Sequence, residues 1–191
     1  ACMPEFDAPS IFGKLLDNEK GGSFEILVDS SYNIEQKYKK RTNILITTFR
    51  SDSGVFEVVD FMPRFKLDDN TYNTPPEIIR FFRLISGKPV FRIKYDPKLQ
   101  YARGETKSVS TNGFIKSYTQ EPSYDSLYLY SDLKHKSILE SEPIEMEEDH
   151  YFVITYNQKL VKVDTPWVEL EMERTKVYWL DWVYRTRKYP K

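Results

Sequence analysis

Cysteine is nearly absent from these 191 residues: Cys2 stands alone. An internal disulfide is therefore excluded, and so is a metal site built from several thiolates. Histidine is almost as scarce. His135 and His150 lack both the i, i+4 spacing and the cysteine partners of a zinc centre, and His135 lies between Lys134 and Lys136, whose charge repels a bound cation. No apolar run approaches the roughly 20 residues that a membrane span requires. No basic stretch followed by an apolar one marks a signal peptide, which makes a cytoplasmic location the default expectation. Excess charge of either sign is missing too, with 28 basic and 29 acidic residues, net −1, and pI ≈ 6.2. Such a balance is a poor match for a nucleic-acid binder. Phosphate-cradling G-x-G-x-x-G and P-loop strings are absent, as is the G-x-S-x-G nucleophile elbow. The expectation is a chain with no cofactor, no metal and no membrane partner.

Aromatic residues are abundant, with 14 Tyr and 12 Phe against only 7 Gly. Rings and β-branched residues suit half-buried pleated surfaces, so sheet core is one reading. A face of rings that stacks on sugars is the other, and the count alone does not choose. The length fits one large all-β domain with a sizeable core.

Ser10 is a candidate N-cap for a short helix through Asp17, with Ile11, Phe12, Leu15 and Leu16 on one side. Strand-like runs follow at Phe24 to Asp29, Ile34 to Arg41, Asn43 to Arg50 and Val55 to Met62. Asp52-Ser53-Gly54 predicts a hairpin between the last two. In Asn43 to Arg50 both alternating faces carry apolar groups, as expected of a strand covered on both sides. Glu77 to Ser86 and Pro89 to Asp96 read as a second pair turning at Ser86-Gly87-Lys88, and the latter run alternates with period two. Weaker strands are expected at Lys107 to Gly113, Phe114 to Thr119, Ser126 to Ser131 and Ser137 to Ser141, and a firmer one at His150 to Tyr156. From Thr165 and Pro166 the pattern turns helical, with Thr165 as cap, Pro166 at the first helical position, and Trp179, Leu180, Trp182 and Val183 clustered. The predicted organisation is residues 1–164 as a β-domain and 165–191 as a helical segment.

Four strings carry a resemblance: Pro4-Glu5-Phe6-Asp7-Ala8-Pro9-Ser10-Ile11-Phe12, Thr42 to Phe49, Gly54 to Pro63 ending in D-F-M-P, and Tyr178-Trp179-Leu180-Asp181-Trp182. Together they resemble the N-terminal domain of family-15 glycoside hydrolases, the prokaryotic glucoamylases, glucodextranases and trehalases. The resemblance implies an antiparallel β-sandwich (supersandwich) with a short N-terminal helix and a C-terminal linker helix. It implies a catalytic (α/α) barrel beginning shortly after Lys191, which carries the catalytic glutamates and inverts α-glucosidic bonds in maltooligosaccharides, dextran-like glucans or trehalose. Ala8 replaces the family's serine, and a preceding strand that ends in an acid-tryptophan pair is lacking. Within this chain the implied catalytic residues are none. Phe6, Asp7, Trp179 and Trp182 are the candidate residues for the domain interface or the border of the sugar pocket.

Other acids were weighed on their own chemistry. Inverting hydrolysis needs an acid and a base roughly 6.5–9.5 Å apart, with one pKa raised by an apolar pocket. Glu145, Glu147, Glu148 and Asp149 form the densest group and read as a solvated charge run between strands. Asp7 suits a turn or a helix cap, or a loop reaching the barrel. Asp60 suits a corner at the end of its strand. The basic clusters Lys37 to Arg41 and Arg185 to Lys191 fit a strand edge and an exposed helix end, or the stacking platform of a single-strand binder. The expected role is that of a non-catalytic domain supporting its own barrel, which would contact α-glucan or trehalose. The alternative is a free-standing carbohydrate-binding module using exposed aromatics.

Overall fold

The computed structural model describes residues 1–186; Arg187 to Lys191, the end of the second basic cluster and of the predicted linker, lie outside the described residues. The strands are β1 (Ser23–Leu27), β2 (Asn33–Tyr38), β3 (Leu45–Ser51), β4 (Gly54–Phe61), β5 (Phe65–Lys66), β6 (Tyr72–Asn73), β7 (Glu77–Gly87), β8 (Val90–Asp96), β9 (Lys107–Ser110), β10 (Ile115–Thr119), β11 (Asp125–Ser131), β12 (Ile144–Glu145) and β13 (His150–Tyr156). Two helices, α1 (His135–Leu139) and α2 (Thr165–Thr186), complete the set. An antiparallel sheet of eight strands runs β2-β3-β4-β7-β13-β11-β10-β9, and a smaller sheet runs β1-β8-β12.

The two sheets face each other across one core. Phe49, Phe56, Val58, Phe82, Phe152 and Ile154 of the large sheet meet Phe91, Ile93 and Tyr95 of the small one. Alternation sends the intervening residues of the same strands to the opposite face. There Val59, Phe61, Ile79, Phe81, Tyr151 and Val153 pack beneath Val168 of α2. The large sheet is thus covered on both sides, as the two apolar faces of Asn43 to Arg50 predicted. The fold is an all-β antiparallel sandwich with a long helix as a third layer.

One polar contact ties the layers. Asp60 and Arg80 are direct cross-strand partners on β4 and β7. Arg80 Nε donates to Asp60 Oδ1 at 2.8 Å and Nη2 to Oδ2 at 3.2 Å. Its Nη1 reaches the Phe24 carbonyl of β1 at 3.0 Å, with the guanidinium over the Phe24 ring at 4.7 Å. The acid of the D-F-M-P string therefore ties neighbouring strands rather than bonding the corner at its own proline.

Several local expectations are corrected. No helix spans Ser10 to Asp17. Gly13 N donates to Gly21 O at 2.6 Å and Lys14 N to Gly22 O at 3.1 Å, folding the segment into a loop. A Cβ at Gly21 would sit 2.3 Å from the Gly13 carbonyl oxygen, so the two backbones meet only because residue 21 is glycine. Ile11 is buried, whereas Leu15 is fully exposed.

The β7 and β8 runs do not pair with each other. Both edges of β7 are taken, by β4 and β13. The chain instead turns at Gly87, with φ +71, and crosses to the small sheet, where β8 pairs with β1 and β12. Ser137 to Ser141 is not a strand. It falls within and after α1, whose Ile138 alone is buried. The cap of α2 is Asp164 rather than Thr165: Asp164 Oδ1 accepts from Trp167 N at 3.0 Å. The basic run Lys37 to Arg41 begins on β2, an edge strand exposed along its whole length, as a soluble strand edge requires. No helix among the described residues is long and apolar enough to cross a membrane.

Asp60→Ala leaves the Arg80 cation without its carboxylate between two sheets. The expected loss of stability is roughly 2–4 kcal/mol in urea unfolding. A loss below about 0.5 kcal/mol would show that the pair does not hold the layers.

Candidate functional site

α2 is seated through one stripe. Val168, Glu171 and Thr175 are buried, at the i, i+3, i+7 spacing of a helix face, with Trp167 and Met172 partly buried beside them. Its first turn is held by Asp164, whose carboxyl is lowered by the Lys162 ammonium and then by the Trp167 N–H. Lower down, Thr175 Oγ1 accepts from Arg64 N at 3.2 Å, fastening the helix to the segment that follows D-F-M-P. The Arg64 guanidinium lies over the rings of Tyr72, at 5.6 Å, and Tyr178, at 5.1 Å.

This fastening creates a cleft of about 540 Å³, lined by Pro4, Glu5, Asn43, Met62, Pro63, Arg64, Thr74, Pro75, Pro76 and Trp179. Segments from all four family-like strings converge here, although up to 175 residues separate them along the chain: Pro4 and Glu5, Asn43, Met62 and Pro63, and Trp179 (179 − 4 = 175). Two donors beside it, Arg64 Nε and Trp179 Nε1, are buried and have no acceptor among the described residues. Each such N–H costs about 1–3 kcal/mol. On the other flank of α2 a second groove of about 570 Å³ includes Leu67, Leu170 and Val177, all largely exposed.

The four candidate residues fall out unevenly. Trp179 lines the cleft, and Trp182 meets it edge-to-face at 5.8 Å while remaining 47% exposed. Phe6 and Asp7 do not line the cleft; they follow Glu5 on the loop that does. Phe6 is 93% exposed. Asp7 is exposed and makes no hydrogen bond among the described residues. Its expected role as a turn or cap acid is therefore overturned. The turn is closed by the backbone, Ala8 N to Glu5 O at 3.2 Å, and no helix follows for Asp7 to cap.

The remaining polar candidates are occupied by local contacts. Lys88 pairs with Glu145, at 3.3 Å, and with Glu147, and Asp149 Oδ1 accepts from Leu84 N at 2.8 Å. His150 Nδ1 lies 2.7 Å from Asp132 Oδ2, and His135 Nδ1 lies 2.8 Å from Ser110 Oγ. Among the described residues no three His, Cys, Asp or Glu side chains gather as a metal site. The carboxyl with the pKa a general acid needs is Glu77, pushed up to about 7 by burial and then by the nearby Glu171 charge. It lines neither groove flanking α2. Arg64, Glu77, Glu171 and Thr175 were not singled out in the sequence. Helical spacing from Val168 is the signal that marks Glu171 and Thr175 as inward-facing. Nothing local marks Arg64 or Glu77.

The chain was compared with known proteins. A trehalase of Thermoplasma acidophilum is 27% identical over 187 residues, which cover 95% of this chain and 32% of that protein. A trehalase of Thermoplasma volcanium is 25% identical over 188 residues, covering 95% and 29% respectively. Trehalase 1 of Sulfolobus acidocaldarius is 48% identical over a shorter stretch of 62 residues, 32% of this chain and 11% of that protein. The chain thus spans about a third of the length of the first two relatives. No solved structure gives a significant match. A family model described as trehalase-like, N-terminal, matches residues 1–128, and with two thirds of its sequence inside that match the chain belongs to the trehalase-like N-terminal domain family.

Proposed function

We propose that this chain is the non-catalytic N-terminal domain of a trehalase-type glycoside hydrolase and supports a catalytic (α/α) barrel carried elsewhere in the polypeptide. The observation that carries the reading is the cleft beside α2, where segments of the four family-like strings meet and leave Met62, Trp182 and the Phe6 loop exposed. Exposed apolar side chains rimming a cleft are what a surface presents when its covering partner is a neighbouring domain. The lengths of the relatives, about three times that of this chain, leave room for such a partner. In this reading the barrel supplies the acid and base that invert an α-glucosidic bond, in trehalose or another α-glucan. The sandwich holds the barrel through the N-terminal loop and α2, in the cytoplasm.

A second reading rests on a different surface. Lys116 Nζ lies 5.3 Å from the Tyr118 ring and 5.4 Å from the Tyr124 ring, beside a polar hollow that includes Glu105, Gln120 and Glu121. Tyr124 is 57% exposed. Rings flanked by carboxylates and an amide suit a sugar's apolar face and hydroxyls, as a carbohydrate-binding module would require.

Three outcomes separate these readings. The 191-residue chain is expected to release no glucose from trehalose, maltose or isomaltose; measurable turnover in a clean preparation would overturn the non-catalytic role. Phe6→Ser should change the isolated chain by less than about 0.5 kcal/mol, since its side chain is 93% exposed. The same substitution in the full-length polypeptide should lower its thermal midpoint by a few degrees, and an equal, small effect in both would count against docking. Calorimetric titration with the same sugars should be flat up to millimolar concentrations. Heat that disappears in Tyr124→Ala would favour the binding module instead.

A further inference from the structure

The two edges of the large sheet are finished differently. At one end β9 is met by α1, whose His135 Nδ1 lies 2.8 Å from Ser110 Oγ. At the other end β2 pairs only with β3 among the described residues and is exposed at every position. Just beyond it, Lys39 N donates to Ile44 O at 2.8 Å. By alternation Lys37, Glu35 and Asn33 also turn their N–H and C=O groups toward β3, which leaves those of Ile34, Gln36 and Tyr38 aimed outward. An open row of backbone donors and acceptors is a template for another strand.

The side chains of this edge sort by face. Ile34, Gln36 and Tyr38 share one face, with Ile34 52% and Tyr38 66% exposed. Gln36 Nε2 donates to Thr47 Oγ1 at 2.9 Å, which holds that side chain over its own sheet. Glu35 and Lys37 share the other face, and both are exposed.

We propose that β2 is a homodimer edge: two copies of this chain pair antiparallel through β2 about a two-fold axis at Gln36, joining their large sheets into one. In that register Gln36 faces the partner's Gln36, and Ile34 faces the partner's Tyr38. These are the outward-aimed residues, so each exchanges both backbone bonds with the residue opposite, as the ladder of an antiparallel pair demands. Glu35 and Lys37 fall between them, in the closer pairs without backbone bonds. There Glu35 faces the partner's Lys37, and Lys37 faces the partner's Glu35. The axis stands perpendicular to the sheet, so the apolar pairs meet on one face and the opposite charges on the other.

Shifting the axis by one residue fails on charge. Centred on Glu35 it sets the two glutamates against each other, and centred on Lys37 it sets the two lysines together; like charges directly opposite are destabilising. Lys37 is the single cation within the strand. It discourages an arbitrary incoming strand, and a second copy in the Gln36 register answers it with an acid. No residue of β2 lines the cleft beside α2, so the pairing does not depend on the docking role.

Sedimentation equilibrium of the 191-residue chain should show a monomer–dimer equilibrium. Glu35→Lys alone, or Lys37→Glu alone, makes both charge pairs repulsive and should weaken the dimer about tenfold or more. An equimolar mixture of the two variants should recover it, because each acid again meets a base across the edge. Both side chains are exposed on an edge strand, so neither change is expected to disturb the fold. Amide hydrogen exchange gives a second readout on the unmodified chain. Ile34, Gln36 and Tyr38 should gain protection as concentration rises, while Glu35 and Lys37 stay protected throughout. A chain monomeric up to millimolar concentration, a dimer indifferent to both charge variants, or a mixture no tighter than either variant alone overturns the pairing.

Discussion

Burial of the eight-stranded sheet on both of its faces is the constraint on which the rest of the structure depends. β4, β7 and β13 send Phe56, Val58, Phe82 and Phe152 one way and Val59, Phe61, Ile79, Phe81 and Val153 the other. Each fully buried side chain of this kind contributes about 1.5–3 kcal/mol relative to exposure, so neither face is stable bare. The small sheet covers one face and α2 the other. Asp60 and Arg80 tie the large sheet to the small one, joining β4, β7 and the β1 backbone through one bidentate pair.

The candidate site is a consequence of that covering. α2 settles over the sheet through Val168, Glu171 and Thr175, and the Thr175 hydroxyl draws in the chain after Pro63. The cleft is the space left between the helix, that segment and the N-terminal loop. Polar groups trapped by this closure are incompletely satisfied. Arg64 Nε and Trp179 Nε1 lack acceptors among the described residues. The seam around α2 is thus the least satisfied part of an otherwise well-packed molecule, and the proposed docking is concentrated there.

Much of the sandwich was legible in the sequence because it depends on short-range rules. The β3–β4 hairpin follows from Asp52-Ser53-Gly54, and the two-sided burial of β3 follows from its two apolar faces. Failures came where a local pattern met a non-local competitor. Gly13 and Gly21 bond across a loop in place of the Ser10 to Asp17 helix. The β7 and β8 runs look like a hairpin, but β4 and β13 already occupy both edges of β7. Asp7 was assigned a turn that backbone groups close without it. Of the cleft, Trp179 was marked by the resemblance of the Tyr178-to-Trp182 string, while Arg64 was hidden because nothing in its neighbours announces what will cover it.

By itself the sequence determined the all-β class, the two-faced central strands, the terminal helix and the family to which the four strings point. These rest on periods of 2 and 3.6 residues and on turn chemistry, which act over a few positions. Only the tertiary structure decided which strands share a sheet and that segments of the four strings border one cleft. The physical reason is that strand partners and desolvation are set by groups far away in the chain. Pro4 and Trp179, at opposite ends of the chain, come to border one cleft only when the helix comes down on the sheet.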